Sequence, residues 1–227
     1  MIVAIDGPAG SGKSTTARAV ARELGYVYLD TGALYRAVAL AFLQTETDPY
    51  SQDAARHLRS QNIDVYYERG EMRLRLNGEE VSEKIRHPEV GKMASRVGTL
   101  PVVREMLVAQ QRRIGKAYAD APGVVLEGRD IGTVVFPDAD VKIFMVADPE
   151  VRARRRQAEL AEQGTHVTQE QILAEIQQRD RQDVERTLSP LLKADDAVEL
   201  NTTGCSFDEQ VQFVIDRVRE RERRSAV

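Results

Sequence analysis

Eight residues near the start of the chain, Gly7-Pro8-Ala9-Gly10-Ser11-Gly12-Lys13-Ser14, satisfy the spacing G-x-x-x-x-G-K-[ST], and Thr15 extends the run to GPAGSGKST. Each residue type has a use in holding phosphate. Glycines let backbone N–H groups face an anion, the start of a following helix adds partial positive charge, Lys13 reaches the outer phosphates, and the Ser14 hydroxyl can ligate Mg²⁺. The flanks fit this reading. Ile2 to Asp6 is a short apolar run, Lys13 to Leu24 carries helical periodicity, and Gly25 supplies a C-terminal stop, which predicts strand, loop and helix in that order.

A phosphate-binding loop does not name a reaction, because one fold serves kinases, GTP switches and ATP motors. The guanine-reading pattern N-K-x-D is absent, and the only D-x-x-G, Asp120 to Gly123, precedes a strand instead of following one. A GTP switch is therefore disfavoured. Motors that activate water end an apolar strand in Asp-Glu, whereas Val124-Val125-Leu126 here runs into Glu127-Gly128-Arg129-Asp130. What remains is arginine at element ends beside polar partners: Tyr35-Arg36, Arg104, Arg129-Asp130, Arg152 to Arg156, and Arg179 with Asp183 and Arg186. Of 32 basic residues 26 are Arg, whose planar fork matches two phosphate oxygens. Moving a phosphoryl group between two phosphorylated substrates gathers negative charge, so such chemistry is mostly neutralisation and alignment. An ionised acceptor phosphate needs no general base, and His57, His87 and His166 read as surface residues.

The elements that must position these groups alternate between strand and helix. Tyr26 to Leu29 reads as a second strand and Ala33 to Gln44 as a second helix, and this alternation predicts a parallel sheet. From about 63 to 81 the period becomes two, with turns at Arg69-Gly70 and Asn77-Gly78, which predicts a small antiparallel meander inserted in the chain. Further helices are expected over 101–119, 149–161, 169–181 and 207–221, and further strands at 124–126, 141–146 and 198–201. The 227 residues, 42% hydrophobic and 30% charged with net charge −4, allow one full domain with an appendage. That charge argues against a protein coating nucleic acid through a global basic field, which is the rival reading of the arginines. No apolar window reaches the length of a membrane span, no leader pattern follows Met1, and Cys205 is the single cysteine, all of which point to a cytoplasmic protein with a passive thiol.

Taken together, GPAGSGKST at 7–15, DTGALYR at 30–36, the meander at about 63–90, GRDIGTVVF at 128–136 and RDRQDVER at 179–186 closely resemble the bacterial cytidylate kinase family. The resemblance runs almost end to end. It implies transfer of a phosphoryl group from ATP, with Mg²⁺, to the small molecules CMP and dCMP, by a monomer with no nucleic-acid or membrane partner. For the fold it implies an α/β core of five parallel strands with flanking helices over 1–30, 101–148 and 167–227. A CMP-binding region would occupy 31–100 with an antiparallel three-stranded insertion at about 63–90, and a short helical lid 149–166. Thr31, Tyr35, Arg36, Arg129 and Asp130 would surround the CMP phosphate; Ser95, Arg104 and Arg186 would read cytosine; Arg179 and Asp183 would hold the sugar. The family's catalytic work would fall to Lys13, Arg129 and Asp130 with a lid arginine, for which Arg155 and Arg156 are the candidates among Arg152 to Arg156. Kinases of UMP or AMP are the nearest alternatives.

Overall fold

The computed structural model describes residues 1–162 and 164–225. Gln163, inside the expected lid segment, and residues 226 and 227, at the end of the expected core, lie outside the described residues. In chain order the elements are β1 (Ile2–Asp6), α1 (Lys13–Leu24), β2 (Val27–Asp30), α2 (Thr31–Gln44), α3 (Ala54–Arg59), β3 (Ile63–Glu68), β4 (Glu71–Leu76), β5 (Glu79–Glu80), α4 (Pro88–Val97), α5 (Pro101–Tyr118), β6 (Val124–Gly128), β7 (Val141–Val146), α6 (Pro149–Glu162), α7 (Gln169–Glu185), β8 (Val198–Asn201) and α8 (Phe207–Ser225). A 3₁₀ turn at Lys84–Arg86 and a π-helix at Ile131–Val135 complete them.

Five strands form a parallel sheet in the order β2-β6-β1-β7-β8, and β3-β4-β5 form a separate antiparallel sheet. The central strands are apolar on both faces: Val3, Ala4 and Ile5 of β1 and Val124, Val125 and Leu126 of β6 are all buried. Continuous burial of this kind is the mark of a parallel strand covered by helices on each side. In β1 and β6 the register pairs Ile5 with Glu127 and Asp6 with Gly128, so the polar residues that end both strands emerge together at their C-terminal edge. That edge is where open α/β sheets place their chemistry.

By contacts the chain divides into two compact units, 1–27 with 118–227, and 28–117. In the first, α1 packs against α8 and β6, while α6 and α7 share a small core of Ala153, Ile172 and Ile176. Thr168 caps α7 through a reciprocal bond pair with Gln171. In the second, Leu34, Val38 and Phe42 of α2 pack with Leu74 and Leu76 of β4, Val97 of α4 and Leu107 of α5 in one apolar cluster. The meander has the predicted turns: Asn77 and Gly78 sit at φ 53° and 86°, and Arg69 and Gly70 at 52° and 81°, the left-handed pairs that a tight hairpin requires.

Several boundaries differ from the sequence expectation. Helix α2 begins at Thr31, because the Asp30 carboxylate accepts from the Ala33 N–H and caps it two residues early. Helix α7 continues to Glu185, which places Asp183 on the helix and Arg186 at its end. Helices α3 and α4 are not among the expected elements; α3 has only six residues, whereas α4 places Val90, Met93, Ala94 and Val97 on one face at i, i+3, i+4 and i+7, a stripe that is present in the sequence.

Candidate active site

In the first unit, β1 delivers the chain into the glycine-rich loop at Gly7. A side chain is impossible there: φ is +147°, and a Cβ would lie 2.0 Å from the Met145 carbonyl oxygen. Gly12 stands in the left-handed region at φ 92° immediately before α1, so the loop turns directly into the positive end of that helix. Lys13 is buried, and its Nζ donates to the Pro8 carbonyl at 2.8 Å, as does Ser11 Oγ at 3.0 Å. Burial, reinforced by the nearby charges of Arg129 and Arg179, pushes the Lys13 ammonium down to about 7, although Glu127 and Asp6 pull the other way. Ser14 Oγ donates to Glu127 Oε1 at 2.6 Å, tying the loop to the end of β6.

Beyond β6, the Gly128-Arg129-Asp130 turn meets α7. Arg129 Nε donates to Asp183 Oδ2 at 2.8 Å, and Arg186 approaches the other oxygen of that carboxylate at 3.8 Å. Burial alone would push Asp183 up, but the charge and hydrogen bond of Arg129, with Arg179 and Arg186 behind, hold it below the ordinary carboxylate range. Asp130 is buried, and its backbone carbonyl accepts the Val134 and Val135 N–H groups of the π-helix. Lys13, Arg129, Asp130, Arg179, Asp183 and Arg186, scattered over the sequence, are therefore neighbours.

The four arginines of α6 have different environments. Arg152 is buried; it donates to Asp180 through both terminal nitrogens, to the Ala147 carbonyl and, at 3.0 Å, to the Ala9 carbonyl of the loop. Arg155 donates to the hydroxyl and carbonyl of Thr202 at 3.0 and 2.6 Å, and the Thr202 hydroxyl contacts the Ser11 carbonyl. Arg154 is exposed, and Arg156 pairs with Glu159 at the surface.

The second unit holds Thr31, Tyr35, Arg36, Ser95 and Arg104. Thr31 opens α2 and is buried; one turn on, Arg36 donates to the Ile85 carbonyl at 3.2 Å, with its guanidinium 3.2 Å from where a Cβ on Gly91 would stand. Gly91 thus makes room for that arginine, and its carbonyl accepts from Ser95 Oγ at 3.4 Å. Arg104 is buried on α5, with its guanidinium carbon 5.8 Å from the Tyr35 ring centre. Tyr35, Arg36, Ser95 and Arg104 thus gather around α2 and α4.

These groups suit an anionic substrate in the first unit and a hydrogen-bonding one in the second. A family described as cytidylate kinase matches residues 3–220. The chain belongs to the cytidylate kinase family. A cytidylate kinase of Salinibacter ruber is 55% identical over 225 residues, covering 99% of both chains, and one of Pelotomaculum thermopropionicum is 48% identical over 95% of each. In fold the chain is similar to an uncharacterized protein of Eubacterium ventriosum, with a TM-score of 0.50 at 14% identity over 96% of this chain and 98% of that one.

Among residues of this cytidylate kinase family member to which pattern reading gives no role, Asp6, Glu127, Asp180 and Thr202 stand out. Asp6 and Glu127 are acidic ends of otherwise apolar strands, a signal visible in the sequence. Asp180 and Thr202 carry none, since each acquires its arginine only through packing of α6. Of the histidines, His87 and His166 are exposed, but His57 is half-buried, its ring 4.9 Å from that of Phe42.

Proposed function

We propose that the protein transfers the γ-phosphoryl group of ATP to CMP or dCMP, giving ADP with CDP or dCDP. The observation that supports the reading is the convergence of buried Lys13 with Arg129 and Arg179 at the glycine-rich loop, a concentration of positive charge suited to phosphate. The loop amides and Lys13 would hold the donor phosphates, and Arg129 would lie against the charge that spreads over the transferring group. Such positioned arginines contribute ~10³ to 10⁵ in rate in related chemistry. Asp183 would keep Arg129 oriented through the 2.8 Å bond that its carboxylate accepts from Arg129 Nε.

Thr31, Tyr35 and Arg36 would receive the acceptor phosphate, with Asp130. Ser95 and Arg104, with Arg186, would address cytosine, whose O2 and N3 accept hydrogen bonds that arginine donates. Arg179 and Asp183 would hold the sugar. In this reading 31–100 serves the acceptor, 149–166 is the lid, and the remainder is the core; of the two lid candidates Arg155 reaches the loop through Thr202, whereas Arg156 faces solvent beside Glu159.

The donor set fits Mg²⁺. Among the described residues no group of three His, Cys, Asp or Glu could hold a metal, but Ser14 Oγ and the Glu127 carboxylate beside it are hard oxygen donors of the kind that share Mg²⁺ with phosphate and water. Ser14 would hold the ion, which when bound neutralises charge between the outer phosphates.

The test is ADP formation from Mg-ATP alone and with CMP, dCMP, UMP, AMP or GMP. Strong stimulation by CMP and dCMP is expected. Preference for AMP or UMP would remove the roles given to Ser95, Arg104 and Arg186, and no stimulation by any acceptor would overturn the reading.

A further inference from the structure

Asp6 is the last residue of β1, buried, and directly before the loop at Gly7. Its Oδ1 accepts the Ile131 N–H at 2.8 Å and its Oδ2 the Gly132 N–H at 2.7 Å. Those are the first two amides of the π-helix, and the first amides of any helix have no partner inside it. Here the internal bonds run from Val134 and Val135 to the Asp130 carbonyl and from Phe136 to that of Ile131. Asp130, at the capping position, does not cap this helix with its own side chain. A carboxylate from 125 residues earlier does so instead. The contact closes on a residue without a side chain: a Cβ on Gly132 would stand 3.2 Å from Lys142 Cδ and 3.4 Å from Asp6 Oδ2. π-turns are rare and concentrate where function has a use for them.

We propose that Asp6 is a positioning residue for phosphoryl transfer: by capping the turn after Asp130, its carboxylate fixes Arg129 and Asp130 beside the phosphate-binding loop. The inference rests on the function proposed above. Strand pairing alone holds the backbone only as far as Gly128, opposite Asp6. The next two residues are the ones whose side chains matter, and they lie between that pairing and the two capping bonds. Because Asp6 also leads into Gly7, one residue sets the loop and the Arg129 turn relative to each other. The charged groups acting on its carboxylate are Asp130, Lys13 and Arg129. Burial pushes it up to about 6, against the pull of the two amides, so the bonds hold an ionised group where it is costly to keep one.

Asp6→Asn keeps the shape but can accept only one of the two N–H groups and turns its own NH₂ toward the other. The expected result is a kcat for CMP phosphorylation lower by about 10²-fold, as for a misplacement near ~1 Å, with the KM for ATP little changed and the fold retained by circular dichroism. A purely structural role would lower stability and leave kcat per folded molecule intact, and that outcome overturns the proposal. Nuclear magnetic resonance of the wild-type protein supplies a second readout that requires no variant. The Ile131 and Gly132 amide protons and the Asp6 carboxyl carbon should titrate with one midpoint; amides that ignore the carboxyl overturn the capping role even if Asp6→Asn does not fold. A wild-type protein that phosphorylates no nucleotide overturns the positioning role together with the proposed function, while a common midpoint would still establish the two bonds.

Discussion

Asp180→Ala would remove the carboxylate that holds Arg152 against the phosphate-binding loop. The Arg152 side chain is 4% exposed and that of Asp180 24%, with bonds of 3.0 and 2.6 Å between them. Deleting one partner of a fully buried pair costs about 3–5 kcal/mol, because the other charge stays buried. A quarter of Asp180 is wet, and Arg152 keeps the Ala147 and Ala9 carbonyls, so about 2–3 kcal/mol is expected, within the range of hydrogen bonds to charged groups. For a chain of this size that is a fall in Tm of about 5–10 °C. Glu159→Ala is the matched control. It removes the Arg156–Glu159 pair, 47% and 57% exposed and three residues apart, worth about 0.3–0.5 kcal/mol and hence about 1–2 °C. Calorimetry and urea unfolding of both variants read the difference. Equal losses in the two would refute the reasoning, since the buried, doubly bonded pair should outweigh the exposed single contact.

Two further results follow from the site. The carboxylates of buried Asp6 and half-buried Asp183 should affect stability with opposite dependence on pH. Asp6, raised from an ordinary 3.8 to about 6, binds its proton more tightly in the folded protein, so its contribution is full below pH ~4 and lost as pH rises through 6, a change of about 3 kcal/mol relative to Asp6→Asn. Asp183 is lowered, so its contribution is fully present above its ordinary pKa and lost as pH falls below it; denaturation of wild type, Asp6→Asn and Asp183→Asn across pH 2–7 would show the Asp183 difference shrinking below pH ~4 and the Asp6 difference changing above it, with opposite sign. In Ser14→Ala the hydroxyl facing Glu127 is gone, and the Mg²⁺ concentration for half-maximal activity should rise while thermal stability changes little; an unchanged Mg²⁺ dependence would exclude Ser14 as a ligand.

The parts of this molecule legible in sequence are those whose cause is local. The glycine-rich loop declares itself because backbone geometry at Gly7 and Gly12 tolerates little else, and the meander because Asn77-Gly78 supplies two left-handed residues between alternating runs. The central strands are readable as unbroken apolar runs. Helix α2 starts two residues before its periodic pattern because of the Asp30 cap, and α3 is too short to show a periodic stripe, whereas the Val90, Met93, Ala94 and Val97 stripe of α4 is legible in the sequence. The site is less local. The pairing of Ser14 with Glu127 follows from strand register across 113 residues, and that of Asp6 with the Ile131 and Gly132 amides from a turn of unusual type. Four arginines within five residues of α6 look alike in sequence, yet Arg152 is buried against the loop, Arg155 reaches Thr202, and Arg154 and Arg156 face solvent. Arg36, Ser95 and Arg104 were assignable to an acceptor only through family resemblance, since nothing about an isolated serine or arginine specifies a pyrimidine.

The most direct measurement follows the phosphorus atom itself. ATP labelled in its γ-phosphoryl group is incubated with Mg²⁺, CMP and either the wild-type protein or Lys13→Met, and the products are separated. The account predicts label in CDP with little in inorganic phosphate, and almost none transferred by Lys13→Met. Label released mainly as inorganic phosphate, or equal transfer by the variant, would contradict it.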